Sequence, residues 1–207
     1  MLTQFSQDLT QKFLHDQNVR PFVCDGNPFD CQIFIVGINP ATQMNAGFLE
    51  FWSDSVGFDK TSWFQHYVTE RKNKPLKEGR TRRQTLSNTR TRIEWLCTAL
   101  KPDKILETNL YAKPTATAAE LLQGDRRIDL FNFLVNTIRP KILFLHGKET
   151  KEAVERLLSV NLVENEFVEC NFSNYMVKVL SMKHFSRGWS EEATLLLADT
   201  LRRELRK

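Results

Sequence analysis

The sequence predicts an α/β fold, a three-layer α/β/α arrangement around a central four-stranded parallel sheet. Three observations lead there. The run Ile33-Phe34-Ile35-Val36 has no polar alternation, so it reads as a strand buried on both faces, as strands of parallel sheets are. Strand patterns then alternate with helical ones, and such alternation needs crossovers that leave helices on both faces of the sheet. Each of four strands ends in polar residues, on the rim where an open α/β sheet holds its ligands.

Residues 3–18 place Phe5, Leu9, Phe13 and Leu14 at helical spacing and predict an opening amphipathic helix. Pro21, Gly26 and Pro28 mark 20–30 as a loop. The first strand, 32–36, turns at once through Gly37, Asn39 and Pro40, residues that suit a tight turn. Residues 41–59 are irregular and aromatic. Helices are expected over about 59–71 and 88–100, the second broken by Pro102-Asp103. The second strand, 105–109, runs into a loop at 111–115. A helix over about 126–137 buries Leu130, Phe131, Leu134 and Ile138, and Arg139-Pro140 ends it. The third strand, 141–145, leads through His146-Gly147-Lys148 into a helix reaching about 160. Residues 166–170 predict an edge strand and 176–181 the fourth strand. Ser190, followed by Glu191 and Glu192, caps a last helix ending near 206.

A chain of 207 residues with 41% apolar content supports one domain with a real core. No run approaches a membrane span, and the N-terminus lacks the order of a signal peptide. The expected location is the cytoplasm, or the nucleus if the source has one. The four cysteines (Cys24, Cys31, Cys97, Cys170) are scattered, which argues against a metal centre or a disulfide scaffold. The net charge of +4 hides an asymmetry. Between Arg71 and Arg92 there are nine Lys/Arg, Arg80, Arg82 and Arg83 among them, and one acid, Glu78. Without this segment the chain would carry −4. One basic segment on an otherwise acidic protein is the footprint expected for a phosphate backbone. A solvated loop gives the same pattern.

Four motifs in order resemble the uracil-DNA glycosylase superfamily, most closely the branch of mismatch-specific uracil/thymine glycosylases. They are Gly37-Ile38-Asn39-Pro40 after the first strand and the stretch from Thr108-Asn109 to Lys113-Pro114-Thr115 after the second. Leu145-His146-Gly147-Lys148 follows the third, and His184-Phe185-Ser186 the fourth. The resemblance covers nearly the whole chain, as a single domain (1–207) with a basic insertion at about 71–92. Three features depart from the pattern. Ala41 replaces a usual Gly, Phe185 replaces a usual Pro, and the Trp- and Arg-rich stretch 51–92 has no counterpart.

The resemblance implies a monofunctional DNA glycosylase that hydrolyses the N-glycosidic bond of uracil or a related damaged base. The alternative is a nucleic-acid-binding module without catalysis. The implied partner is DNA, single- or double-stranded, bound by a monomer without metal or organic cofactor. Cleavage builds positive charge on the sugar and negative charge on the base. Asn39 takes the water-positioning role, though an amide cannot accept the water's proton. His184 would donate to the base oxygen. Gly37 and Ile38 belong to the base site, and Phe51, or less plausibly Phe48, would stack on the base. Asn109 could read the base edge, but an amide that rotates fits uracil or cytosine. Arg187 could fill the gap left by the flipped nucleotide or bind phosphate. Lys148, Ser186, Arg80, Arg82 and Arg83 are the other candidate DNA contacts. Trp189 reads equally as core or wedge.

Overall fold

The computed structural model describes residues 1–16, 19–41, 43–76, 78–79 and 81–207. Along the chain run α1 (Leu2–Phe13), β1 (Phe22–Cys24), β2 (Cys31–Gly37), β3 (Trp52–Ser53), β4 (Gly57–Phe58), α2 (Lys60–Asn73), α3 (Asn88–Leu100) and β5 (Lys104–Asn109). Then come α4 (Asp129–Ile138), β6 (Ile142–His146), α5 (Lys148–Leu158), β7 (Phe167–Phe172), β8 (Tyr175–Met182) and α6 (Glu191–Leu205). The central sheet has six strands, in the order β1-β5-β2-β6-β8-β7. The four expected strands are β2, β5, β6 and β8, and they are parallel to one another. The expected count of four is corrected by two antiparallel edges. β7 was anticipated, but β1 lies where Pro and Gly predicted only a loop. Three residues between turn formers carry too little pattern to announce a strand. Their pairing partner, β5, lies far along the chain.

Side-chain alternation along the strands divides the core. Phe34, Val36, Leu106, Leu143, Leu145, Val177 and Val179 face one way, into a cluster with Leu9 of α1, Phe131 and Leu134 of α4 and Val154 of α5. Ile33, Ile35, Ile105, Ile142, Phe144 and Leu180 face the other way, against Ile93 and Leu96 of α3 and Leu197 and Leu201 of α6. Burial of a large aliphatic side chain contributes roughly 1.5–3 kcal/mol, so these stripes hold the helices to the sheet. Three helix starts are capped. The side chains of Asp59, Ser87 and Ser190 accept from the backbone N–H of Ser62, Arg90 and Ala193. Among the described residues no helix is long and apolar enough to cross a membrane.

The basic segment is no simple insertion. Residues 71–73 complete α2 and 88–92 begin α3, so of the described residues of the segment only 74–76, 78–79 and 81–87 lie outside the helices. That loop is braced at both ends. The Arg83 guanidinium donates to the carbonyls of Arg71 and Pro75, and Arg71 Nε donates to the carbonyl of Gln84 at 3.1 Å.

Candidate functional site

The carboxyl ends of the four parallel strands bring distant residues to one rim. Gly37 ends β2 opposite Asn109 of β5, and His146 ends β6 opposite Met182 of β8. Beyond the strands the loops stay joined. The N–H groups of Leu110, Tyr111 and Thr115 donate to the carbonyls of Gly37, Ile38 and Pro40 at 2.9, 2.9 and 3.0 Å. Gly147 N–H donates to Met182 O at 2.9 Å. A rigid platform of backbone thus carries the polar side chains.

Two glycines are required by close approach. A Cβ on Gly37 would stand 2.8 Å from Asn109 Oδ1 and 3.2 Å from His146 Nε2. Gly147 has φ +104° and lets the His184 ring lie against it, 3.1 Å from where a Cβ would be.

Asn39 is held by its amide donors. Nδ2 donates to Thr115 Oγ1 at 2.7 Å, and to the carbonyls of Thr115 and Pro40 at 3.3 Å each. This pins the amide orientation and leaves Oδ1 as the atom able to accept from a bound group. His184 is fixed in a similar way. Ser186 N–H donates to Nδ1 at 3.1 Å, and Ser186 Oγ lies 2.8 Å from the same nitrogen. A backbone N–H only donates, so Nδ1 is the bare nitrogen and Nε2 carries the hydrogen. Burial lowers the His184 pKa, which keeps this neutral form.

Beside it lies His146, 5% exposed, with ring centroids 4.8 Å apart. Burial first, and then the charge His184 would carry, push its pKa down to about 3. Among the described residues its Nδ1 is buried without a partner.

The rim opens into a cleft of about 1210 Å³. Arg20, Arg71, Lys74, Arg82, Arg83 and Arg90 line it, with Glu107 as the acid among them. The basic segment is therefore a wall of the same cleft whose floor holds Asn39, Asn109, His146 and His184. Deep in the wall, Arg90 binds Glu107 through two N–H groups at 2.6 and 2.7 Å, and Glu94 at 3.1 Å. Its guanidinium lies 4.8 Å over the Trp63 ring. Burial opposes the Glu107 charge, but Arg90 and then Arg20 hold its pKa below the usual carboxylate range.

Of the expected site residues, Gly37, Ile38, Asn39, Asn109, His184, Arg82 and Arg83 line this cleft. Phe51 does not, which corrects its stacking role. It is 8% exposed and packs against Phe58 and His66, at 6.1 and 5.7 Å. Phe48 is likewise buried, stacked on Phe58 at 5.2 Å. The aromatic stretch saturates itself as core. Lys148 is exposed at the start of α5, paired with Glu152 at 3.7 Å. Arg187 is exposed. Neither lines the cleft, and Ser186, engaged with His184, does not line it either. Arg80 lies outside the described residues.

The departures from the family pattern are absorbed. Ala41 has no positive φ, so a Cβ costs nothing there. Phe185 is fully buried between Phe144, His146 and Trp189, so packing anchors the loop where a proline ring would have stiffened it. Trp189 is core, its Nε1 donating to Lys183 O at 3.3 Å.

Sequence reasoning missed Arg20, Tyr67, Glu107 and Thr115, and passed over His146 as a site residue. One signal was present: Glu107 interrupts an otherwise buried strand pattern, and a carboxylate there needs a partner. Compared with known proteins, the chain matches no family model, and no curated protein matches it either.

Proposed function

We propose that this protein is a DNA base-excision glycosylase, a divergent member of the uracil-DNA glycosylase superfamily with that family's three-layer arrangement around four parallel strands. It hydrolyses the N-glycosidic bond of uracil or a related damaged base. The observation that carries the reading is the convergence of Asn39, Asn109 and His184 on the floor of a cleft walled by cations. Phosphates suit the wall, and a base turned out of the strand suits the floor.

In this reading the base enters between Asn109 and His184. As the bond from the sugar to the base nitrogen breaks, its electron pair moves onto the base. The His184 Nε2–H donates to the base oxygen where that charge collects, and a neutral imidazole suffices. Asn39 Oδ1 accepts a hydrogen bond from the water that attacks the sugar carbon. The water's proton goes to the departing base or to solvent, because the amide cannot take it. Such a site favours bases that already leave well. With Phe51 and Phe48 in the core, Tyr67 is the aromatic ring that borders the cleft beside the two histidines.

The test is base release from labelled oligonucleotides carrying one uracil, single-stranded or opposite G or A, with alkaline cleavage of abasic sites. Asn39→Ala is expected to abolish release while keeping the fold and DNA affinity. Unchanged release in that variant would remove Asn39 from the mechanism. Salt-sensitive DNA binding with no release from any substrate would favour the non-catalytic module.

A further inference from the structure

The least explained group in the cleft is His146. Its ring is held by stacking on Phe185, 5.2 Å away at 25°, and by the edge of His184. Neither contact uses its nitrogens. Among the described residues, Nδ1 is buried with no hydrogen-bond partner and no hydrogen bond uses the ring at all. Nδ1 shares that state with Arg90 Nε, Glu70 Oε2 and Asn132 Oδ1 and is closed off from any ligand; the atom placed to meet a partner from outside is Nε2, which faces the Gly37 niche on the cleft.

The tautomer follows from the surroundings. One nitrogen must carry the hydrogen. At Nδ1 it would be an N–H buried with no acceptor, and orphaned buried N–H groups are the rarer and costlier defect. The hydrogen therefore sits on Nε2. That atom borders the space left by the missing Gly37 side chain, 3.2 Å from where a Cβ would stand, and Asn109 Oδ1 lies 2.8 Å from the same point. The two groups share one niche, and any Cβ would fill it.

We propose that His146 reads the extruded base: its Nε2–H donates to a carbonyl oxygen beside the edge that Asn109 contacts, and so selects bases bearing C=O over their amino counterparts. This rests on the base-pocket reading above and names the group that recognises the substrate class. Asn109 alone is a poor judge. Its amide turns over to match a carbonyl next to an N–H, or the reverse order in cytosine. The imidazole cannot follow, because moving its hydrogen to Nδ1 leaves a buried N–H with no acceptor among the described residues. An amino group at that place meets a donor with a donor. Deaminated bases, such as uracil from cytosine or hypoxanthine from adenine, meet it with an acceptor. Sites built around one obligatory hydrogen bond reject the mismatched analogue strongly, so a preference on the order of 10²-fold or more is expected.

The experiment uses the full chain with nitrogen-15 histidine, titrated with free uracil and with free cytosine at equal concentration. The His146 imidazole signals are expected to report the Nε2–H tautomer and to move with uracil only. His146→Leu keeps apolar contact with Phe185 and removes the donor, so it folds and lowers single-turnover uracil release by about 10-fold or more. His146→Gln can present either end of its amide, so it recovers part of the rate and loses the preference over cytosine. His184 signals that move while those of His146 stay still would overturn the proposal and leave the base pocket standing. Equal responses to the two bases would overturn the selection. No movement of either histidine, with no base release by the unmodified protein, would overturn the pocket as well.

Discussion

On the wall of the cleft, Arg90 is 5% exposed and its two terminal nitrogens are paired, with two bonds to Glu107, one to Glu94 and an aromatic face beneath; among the described residues its Nε alone has no partner. On the floor, His146 is just as buried, and among the described residues no hydrogen bond uses either ring nitrogen. Both are polar groups taken out of water, a cost that folding offsets only when they find partners. The wall found them inside the chain, across 17 residues from Arg90 to Glu107. The floor did not. The contrast separates polar residues that serve the fold from polar residues held open for something that binds. Asn39 and His184 stand between the two: one side of each is tied down inside the protein, to Thr115 or Ser186, and among the described residues no hydrogen bond uses the other side.

The contrast can be broken most severely at the wall. Glu107→Leu leaves the Arg90 charge buried with Glu94 alone, and a loss of about 3–5 kcal/mol is expected, read from urea unfolding. A loss under about 1 kcal/mol would mean that the pair does not brace the fold. On the floor, His184→Ala should leave stability nearly unchanged and slow base release by roughly 10²-fold, the scale of one lost donor to a developing anion. A change below about threefold would take His184 out of the reaction.

Acid gives a third handle, and its sign is fixed by the histidines. His146 titrates near 6.5 in an unfolded chain and at about 3 when folded. Between those values the unfolded state binds the extra proton, so stability falls as pH drops below about 6.5. The slope is at most about 1.4 kcal/mol per pH unit from this group. His184, also lowered, adds in the same direction. His146→Leu should flatten the slope between pH values of about 6 and 4, and an unchanged slope would place the titration elsewhere. The smallest effect is at the rim of the wall. Arg82→Gln should reduce the salt dependence of DNA binding by about one unit, uniformly across sequences, with the fold untouched. No change in the slope would leave Arg82 outside the DNA interface.

Much of the fold was legible. The four parallel strands, the span of α3 over Asn88–Leu100 and the cap of α6 at Ser190 rest on local pattern, and apolar runs and capping residues act over a few positions. β1 was not legible, because a three-residue edge strand exists only through its pairing with β5. At the site, Asn39, Asn109 and His184 were marked by their place at strand ends. Phe51 was misread, since an aromatic residue looks the same in a core and in a binding cleft until its neighbours are known. Nor was it legible that residues 82–85 and 87–90 line the same cleft as Asn39, because α2 and α3 set that wall by packing.

By itself the sequence determined the alternation of strands and helices, the polar rim and the single basic segment. Each of these is written in neighbouring residues and in charge. Only the tertiary structure decided that the segment walls the cleft, that the aromatic stretch closes on itself, and that Arg90 pairs with Glu107 while the His146 ring makes no hydrogen bond among the described residues. The physical reason is common to all three. Whether a buried group is satisfied depends on which distant side chains reach it, and that is a property of packing in space.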